Sequence, residues 1–177
     1  LDVFQPTLYE VGARWEANRI SVAQEHIATA ITQFVMARVY EPPGDRQADR
    51  GTVVPTGVEG ELHNIGVVMV GDLLESSGWQ VHFLGTNLPA TSILNVIREK
   101  APSHVGISAT MLFNVPAVRH LVAAMRPRIG AHQLVNVLAD ASSGPKGGPI
   151  VDEDSHVSLY DSFSSLRRNI SEGSAHG

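Results

Sequence analysis

The clearest chemistry in the sequence lies in Glu59-Gly60-Glu61-Leu62-His63-Asn64-Ile65-Gly66. This run follows an apolar stretch that reads as a strand and precedes one that reads as a helix, which puts His63 on the connecting loop. A carboxylate, Glu61, stands two residues before it and Gly66 three residues after it. An imidazole exposed at such a loop can offer a ring nitrogen to a metal, and Glu61 can help fix the ring's orientation and tautomer. Gly66, lacking a Cβ, lets a large planar ligand approach the backbone of the opening helix. Standing alone, a histidine after a strand more often caps a helix or sits on the surface. A second constellation comes earlier: Trp15, nine intervening residues, then Glu25-His26. Its plain reading is an aromatic packed in a helical module and an incidental acid–histidine pair on a later helix.

The elements that must position these residues differ in texture along the chain. From about Thr7 to Tyr40, Ile20, Ile27, Ile31, Phe34 and Val35 recur at helical spacing. Ser21 followed by Gln24 fits a capping box, so the pattern predicts a new helix near Ser21 rather than one continuous rod. Glu41-Pro42-Pro43-Gly44-Asp45, with polar residues on to Gly51, reads as a linker. Beyond it, strands near Thr52–Thr56, Gln80–Leu84, His104–Ser108 and Gln133–Leu138 alternate with helices near Asn64–Ser77, Ala90–Ala101 and Val115–Arg128. Such alternation predicts right-handed crossovers and a parallel sheet covered on both faces. Ligands of such sheets sit at the carboxyl ends of the strands, here the loops Val58–His63, Gly85–Pro89, Ser108–Asn114 and Ala139–Pro149. Ser155–Ile170 reads as a last strand and helix. The expected organisation is a helical module at 1–44, an α/β domain at 51–170 and a tail at 171–177.

Composition narrows the function classes. With 177 residues, 43% apolar and 18% charged, the chain can bury a core. A net charge of −5, with Arg126-Pro127-Arg128 and Arg167-Arg168 as its tight basic clusters, argues against direct binding of a nucleic-acid backbone. The absence of cysteine excludes disulfides, thiolate zinc sites, iron–sulfur clusters and a cysteine nucleophile, so metal chemistry must use the eight histidines and the carboxylates. His82, His104, His120, His132, His156 and His176 show no paired spacing with carboxylates and read as strand-end or surface residues. Asp152-Glu153-Asp154 lacks the spacing of a calcium loop. Gly144 to Gly148 lacks the ending of a phosphate loop, and no nucleophile elbow or dinucleotide fingerprint occurs. The longest apolar run, Ile65 to Leu74, is broken by Gly71 and Asp72, and no secretion signal opens the sequence. A soluble cytoplasmic protein is the default expectation. The chain begins at Leu1 rather than Met, which we read as a processed chain or a piece of something longer.

Three features together resemble the cobalamin-binding domain family. They are Glu61-Leu62-His63-Asn64-Ile65-Gly66; then Gly78-Trp79-Gln80-Val81 leading into Leu84-Gly85-Thr86-Asn87-Leu88-Pro89; and later Ser108-Ala109-Thr110. They occur in the family's order over about Thr52 to Ala141. The resemblance implies a flavodoxin- or Rossmann-like α/β domain that holds corrinoid with its nucleotide tail detached from cobalt. In that family His63 would be the lower axial cobalt ligand, Glu61 its charged neighbour, Asn64 and Gly66 part of the same binding loop, and Ser108 and Thr110 the lining of the tail slot. The sequence departs from the family pattern after the later strand: Val135-Asn136-Val137-Leu138-Ala139-Asp140 lacks the usual Gly-Gly pair, and Gly147-Gly148 comes late.

Trp15 and Glu25-His26, placed before such a domain, resemble the light-sensing, adenosylcobalamin-dependent CarH-type branch of regulators. That resemblance implies that Trp15 caps the upper alkyl group, that Glu25 contacts the upper ligand, and that His26 takes the vacated position after light breaks the cobalt–carbon bond. A conformational or oligomeric switch would follow, with a homo-oligomer or an output domain as partner. Those relatives carry a longer helical bundle before the tryptophan and a DNA-reading segment upstream, whereas fourteen residues precede Trp15 here. On this reading the chain is not an enzyme, and its cofactor is adenosylcobalamin or methylcobalamin. A corrinoid protein carrying methyl groups between methyltransferases shares the His63 motif and is the alternative. A plain interaction module without cofactor is the third reading.

Overall fold

In the computed structural model, the alternation that begins at Thr52 builds a five-stranded parallel sheet in the order β2-β1-β3-β4-β5. The structure describes residues 3–41, 48–130, 133–139, 151, 156–160, 165, 166 and 168. The linker at 42–47, the loop 140–149 with Gly147-Gly148, the acidic run 152–154, His132, Arg167, His176 and the tail 171–177 lie outside the described residues. Contacts divide the chain into Leu1–Gly44 and Asp45–Gly177, and each is described by itself.

In the second unit, β1 (Thr52–Gly57) leads to α3 (Ile65–Ser76), β2 (Gln80–Val81), α4 (Ala90–Lys100), β3 (His104–Ala109), a short 3-10 turn (Leu112–Asn114), α5 (Val115–Met125), β4 (Leu134–Ala139) and β5 (Val157–Tyr160). The run Val53-Val54-Pro55-Thr56 is buried throughout, as suits a strand covered on both faces. β2 is shorter than the expected Gln80–Leu84. Its N–H groups nonetheless keep donating to β1: Gln80 to the Gly51 carbonyl, His82 to Val53 and Leu84 to Pro55. It lies at the sheet's edge and pairs on one side alone, so the ladder continues where regular strand geometry has ended. The chain runs outward from β1 to β2 and then returns past β1 to β3. That reversal opens a crevice at the carboxyl ends of β1 and β3.

Alternation along the strands sorts the two faces. On β3, Val105 and Ile107 join the core formed with Ile93 and Ile97 of α4 and Val118 and Leu121 of α5. His104, Gly106 and Ser108 line a cavity whose other wall includes Val67, Val70 and Leu74 of α3. Ile93 is wholly buried among apolar neighbours. Ile93→Ala is expected to destabilise this unit by about 2–5 kcal/mol, read as a lower midpoint in urea with an unchanged slope.

In the first unit, α1 (Phe4–Glu16) and α2 (Val22–Val39) are separate helices. The break falls where the capping box predicts it: the Gln24 N–H donates to Ser21 Oγ at 3.2 Å and the Ser21 N–H to Gln24 Oε1 at 2.9 Å. The apolar series read from helical spacing is not the covered side of α2. Ile27, Ile31 and Phe34 are exposed, while Thr32 and Met36 are buried.

Candidate functional site

The β1–α3 connection is folded around one buried carboxylate. After β1 the chain turns, with the Glu61 N–H donating to the Val58 carbonyl at 3.0 Å. The Gly60 N–H donates to Asn87 Oδ1 at 3.0 Å. The Glu61 side chain is fully buried. Its Oε1 accepts the His63 backbone N–H at 2.8 Å and His63 Nδ1 at 2.6 Å. Its Oε2 accepts the Thr110 backbone N–H at 2.7 Å and Asn114 Nδ2 at 3.0 Å. Four donors from two loops therefore converge on one anion. Burial alone would raise the carboxyl's pKa, but the hydrogen bonds from the His63 ring, the Thr110 N–H and the His63 N–H outweigh it. The net value lies below the ordinary 4.5. Gly60 makes the turn possible: its φ is +85°, and a Cβ there would stand 3.1 Å from Asn114 Oδ1. Gly60→Ala is expected to lower stability by about 1–2 kcal/mol through left-handed strain and crowding of Asn114, seen as a fall in Tm.

This arrangement orients the His63 ring. With Nδ1–H donated to a carboxylate, the neutral ring carries its lone pair on Nε2, the form a metal ligand requires. The His63 side chain is 53% exposed, although its anchoring partner is wholly buried. Among the described residues no group of three or more His, Asp or Glu side chains could hold a bare metal ion. A single anchored imidazole suits a metal whose other positions a macrocycle already fills. Leu62 beside it is 74% exposed, and Leu112 and Phe113, next to the Asn114 that clamps Glu61, are 48% and 68% exposed. Exposed large apolar side chains around a polar ligand fit a broad, flat, largely apolar partner. Asn64, at the start of α3, has a buried Oδ1 with no hydrogen-bond partner. A Cβ at Gly66 would meet only Ser108 Oγ, at 3.8 Å, so the opening of α3 presents bare backbone there.

Below this loop, between α3 and the sheet, lies a cavity of about 410 Å³. It is lined along β3 by His104, Gly106 and Ser108, along β4 by Leu134, Asn136 and Leu138, and on β5 by Ser158 and Tyr160. That size suits a bound small molecule or a substantial appendage of one. Its lower end is built from Trp79, His104 and Arg50. The Trp79 and His104 rings meet edge-on at 4.6 Å, and the Arg50 guanidinium lies 5.7 Å from the Trp79 ring. Burial holds the His104 pKa below its ordinary 6.5, so this ring is neutral at physiological pH. The donor set and the cavity together fit a tail-detached corrinoid. Of the described residues, His63 is the one that would hold its metal, and the cavity beside Gly106 has room for an appendage.

The structure thus brings Glu61, His63, Asn64, Gly66 and Ser108 to one end of the sheet. Thr110 joins them through its backbone N–H on Glu61 and is not among the residues lining the cavity. The sequence reading missed Asn114, Asn87, Asn136 and Ser158. Asn114 had a visible signal, an asparagine just before Val115-Pro116 where a helix must start. Trp15, Glu25 and His26 belong to the other unit. Trp15, 41% exposed, sits in the last turn of α1. Glu25 and His26 occupy the first turn of α2, with His26 Nδ1 2.7 Å from Glu25 Oε2 and the Thr29 hydroxyl donating to Glu25 Oε1 at 2.8 Å.

Residues 51–137 match the family described as B12 binding domain, and residues 1–40 match a second family of the same description. Together these cover most of the chain, which belongs to the B12-binding domain family. Dimethylamine corrinoid protein 3 of Methanosarcina mazei is 29% identical over 119 residues, 66% of this chain and 71% of that protein. The HTH-type transcriptional repressor CarH of Myxococcus xanthus is 32% identical over 111 residues, 60% of this chain and 35% of the repressor. Several further dimethylamine corrinoid proteins are matched over less than two thirds of their length, 61% and 56% in two cases. The Methanosarcina barkeri monomethylamine corrinoid protein shares the fold, with a TM-score of 0.77 over 96% of this chain and 80% of that one, at 16% identity. Among the described residues no helix is long and apolar enough to cross a membrane.

Proposed function

We propose that the chain is a corrinoid protein that carries methyl groups between partner methyltransferases, with His63 as the lower axial ligand of a tail-detached cobalamin. The observation that supports the axial assignment is the 2.6 Å contact between His63 Nδ1 and the buried Glu61 carboxylate, which orients the ring as a second partner orients a metal-bound imidazole. The carrier role is supported by the names of the dimethylamine corrinoid relatives. When bound, the corrinoid supplies a cobalt centre that takes up and gives up an alkyl group. The chain's own residues hold and tune it. Glu61 keeps the Nδ1 proton in place and strengthens Nε2 as a donor. Through its contact with Nδ1, Glu61 would hold the ring in the orientation that the metal requires. Leu62, Leu112 and Phe113 offer apolar surface beside the ring that His63 presents. Catalysis of the methyl transfers belongs to the partners.

A second reading, the light sensor, is favoured by Trp15, by the Glu25–His26 contact of 2.7 Å and by the 32% identity with the CarH repressor. In it, His26 ligates cobalt after the upper alkyl group is lost to light. One pair of experiments separates the two. Protein loaded with methylcobalamin in the dark and given a thiol acceptor together with a corrinoid-dependent methyltransferase should lose its methyl group, and its spectrum after green light should be the same in His26→Ala. A persistent light-induced spectrum that His26→Ala abolishes, with no dark transfer, would establish the sensor instead.

A further inference from the structure

The parallel register stacks the cavity's polar side chains in rungs. Gly106, Asn136 and Ser158 share the middle rung. Ser108, Leu138 and Tyr160 form the next toward the carboxyl ends, and His104 with Leu134 the next toward the amino ends. Adjacent rungs on one face are about 7 Å apart. The side chains of Asn136 and Ser158 sit beside each other facing the cavity, and neither makes a hydrogen bond among the described residues. Both are half-buried, so an amide and a hydroxyl stand open to a ligand in the cavity. Next to them Gly106 offers bare backbone, and a Cβ there would meet nothing closer than Pro55 Cα at 3.6 Å. A flat surface bordered by unmatched donors and acceptors suits a planar heteroaromatic whose outer edge forms hydrogen bonds. It does not suit one whose outer edge is two methyl groups.

We propose that Asn136 and Ser158 determine which tail base this chain accepts, selecting corrinoids whose tail ends in a hydrogen-bonding base over those ending in dimethylbenzimidazole. This rests on the reading above, that the chain binds corrinoid with its tail detached. Asn136 lies within β4 and Ser158 within β5, so the cavity's middle rung carries functional side chains on two neighbouring strands. A site whose polar groups lose their water to a ligand rejects one that leaves them unpaired more strongly than an apolar pocket rejects an added polar group.

The probes are two cobamides that differ only in the tail base, adenine against dimethylbenzimidazole, titrated into the full chain and followed by absorption. The wild type should bind the adenine form at least about tenfold more tightly, the equivalent of one buried hydrogen bond left unmade. Asn136→Leu should abolish or reverse that ratio, and Ser158→Ala, a gentler change, should reduce it; apo-protein Tm confirms that both fold. Equal affinities in the wild type, or a ratio unchanged in both variants, overturn the proposal, as does a wild type that binds neither cobamide. His63→Ala separates this inference from the axial assignment. It should weaken both cobamides by a common factor and preserve their ratio. Unchanged affinities in His63→Ala with the ratio intact would reject the axial ligand and leave the tail selectivity standing.

Discussion

Replacing His63 with alanine is expected to weaken corrinoid binding by more than about a hundredfold and to change the spectrum of what still binds. The magnitude follows from the bond's place in the site. Loss of a partner that merely orients a metal-bound histidine costs about 10–100-fold in affinity, so loss of the histidine itself must cost more. Among the described residues no cluster of His, Asp and Glu side chains stands by to substitute. Residual binding would come from the cavity, which the substitution leaves intact. Stability of the apo-protein should barely change, because the ring is 53% exposed and its removal leaves Glu61 with the Thr110, Asn114 and His63 backbone donors. Absorption titration of both proteins, with denaturation as control, checks the two halves of this expectation.

Glu61→Gln is the second large effect, and it falls on stability as well as binding. The carboxylate accepts from four donors, and the substituted amide would turn an NH2 toward some of them. Buried donors that lose their acceptor cost about 1–3 kcal/mol each, so a loss of about 2–5 kcal/mol is expected, together with a fall in corrinoid affinity as His63 loses its orientation. The same carboxylate makes stability pH-dependent. Its folded pKa lies below 4.5, so the folded protein binds the proton less readily than the unfolded chain. The contribution is therefore fully present above 4.5 and is lost as pH falls through the lower folded value. Urea midpoints measured downward from pH 6 should decline more steeply below that point in the wild type than in Glu61→Gln.

How far the sequence alone reaches depends on what each residue must satisfy. The parallel sheet was legible because strands buried on both faces read as unbroken apolar runs between helix-length segments, as at Val53-Val54 and Val105 to Ala109. The Glu61-His63 pair was legible because its chemistry is local, two residues apart on one loop. The asparagine before Val115-Pro116 marked a helix start, but its contact with Glu61 was not legible, since it spans 53 positions and arises from β1 and β3 lying side by side. Asn136 was hidden for a related reason. In a strand covered on both faces, alternation does not reveal which side a polar residue looks into, and only the register with Gly106 and Ser158 places it in the cavity. The helical series at Ile27, Ile31 and Phe34 misled because spacing reports a common face and not whether that face is covered.

Whether an imidazole of this chain sits on cobalt can be read from the metal itself. The direct measurement is the electron paramagnetic resonance spectrum of its cobalt(II) corrinoid complex, prepared with ordinary histidine and with histidine carrying the heavy nitrogen isotope. With His63 on cobalt, nitrogen splitting changes from triplet to doublet with the label and disappears in His63→Ala. Splitting indifferent to the label, and unchanged in that variant, would mean that cobalt keeps its own tail base and that the central assignment is wrong.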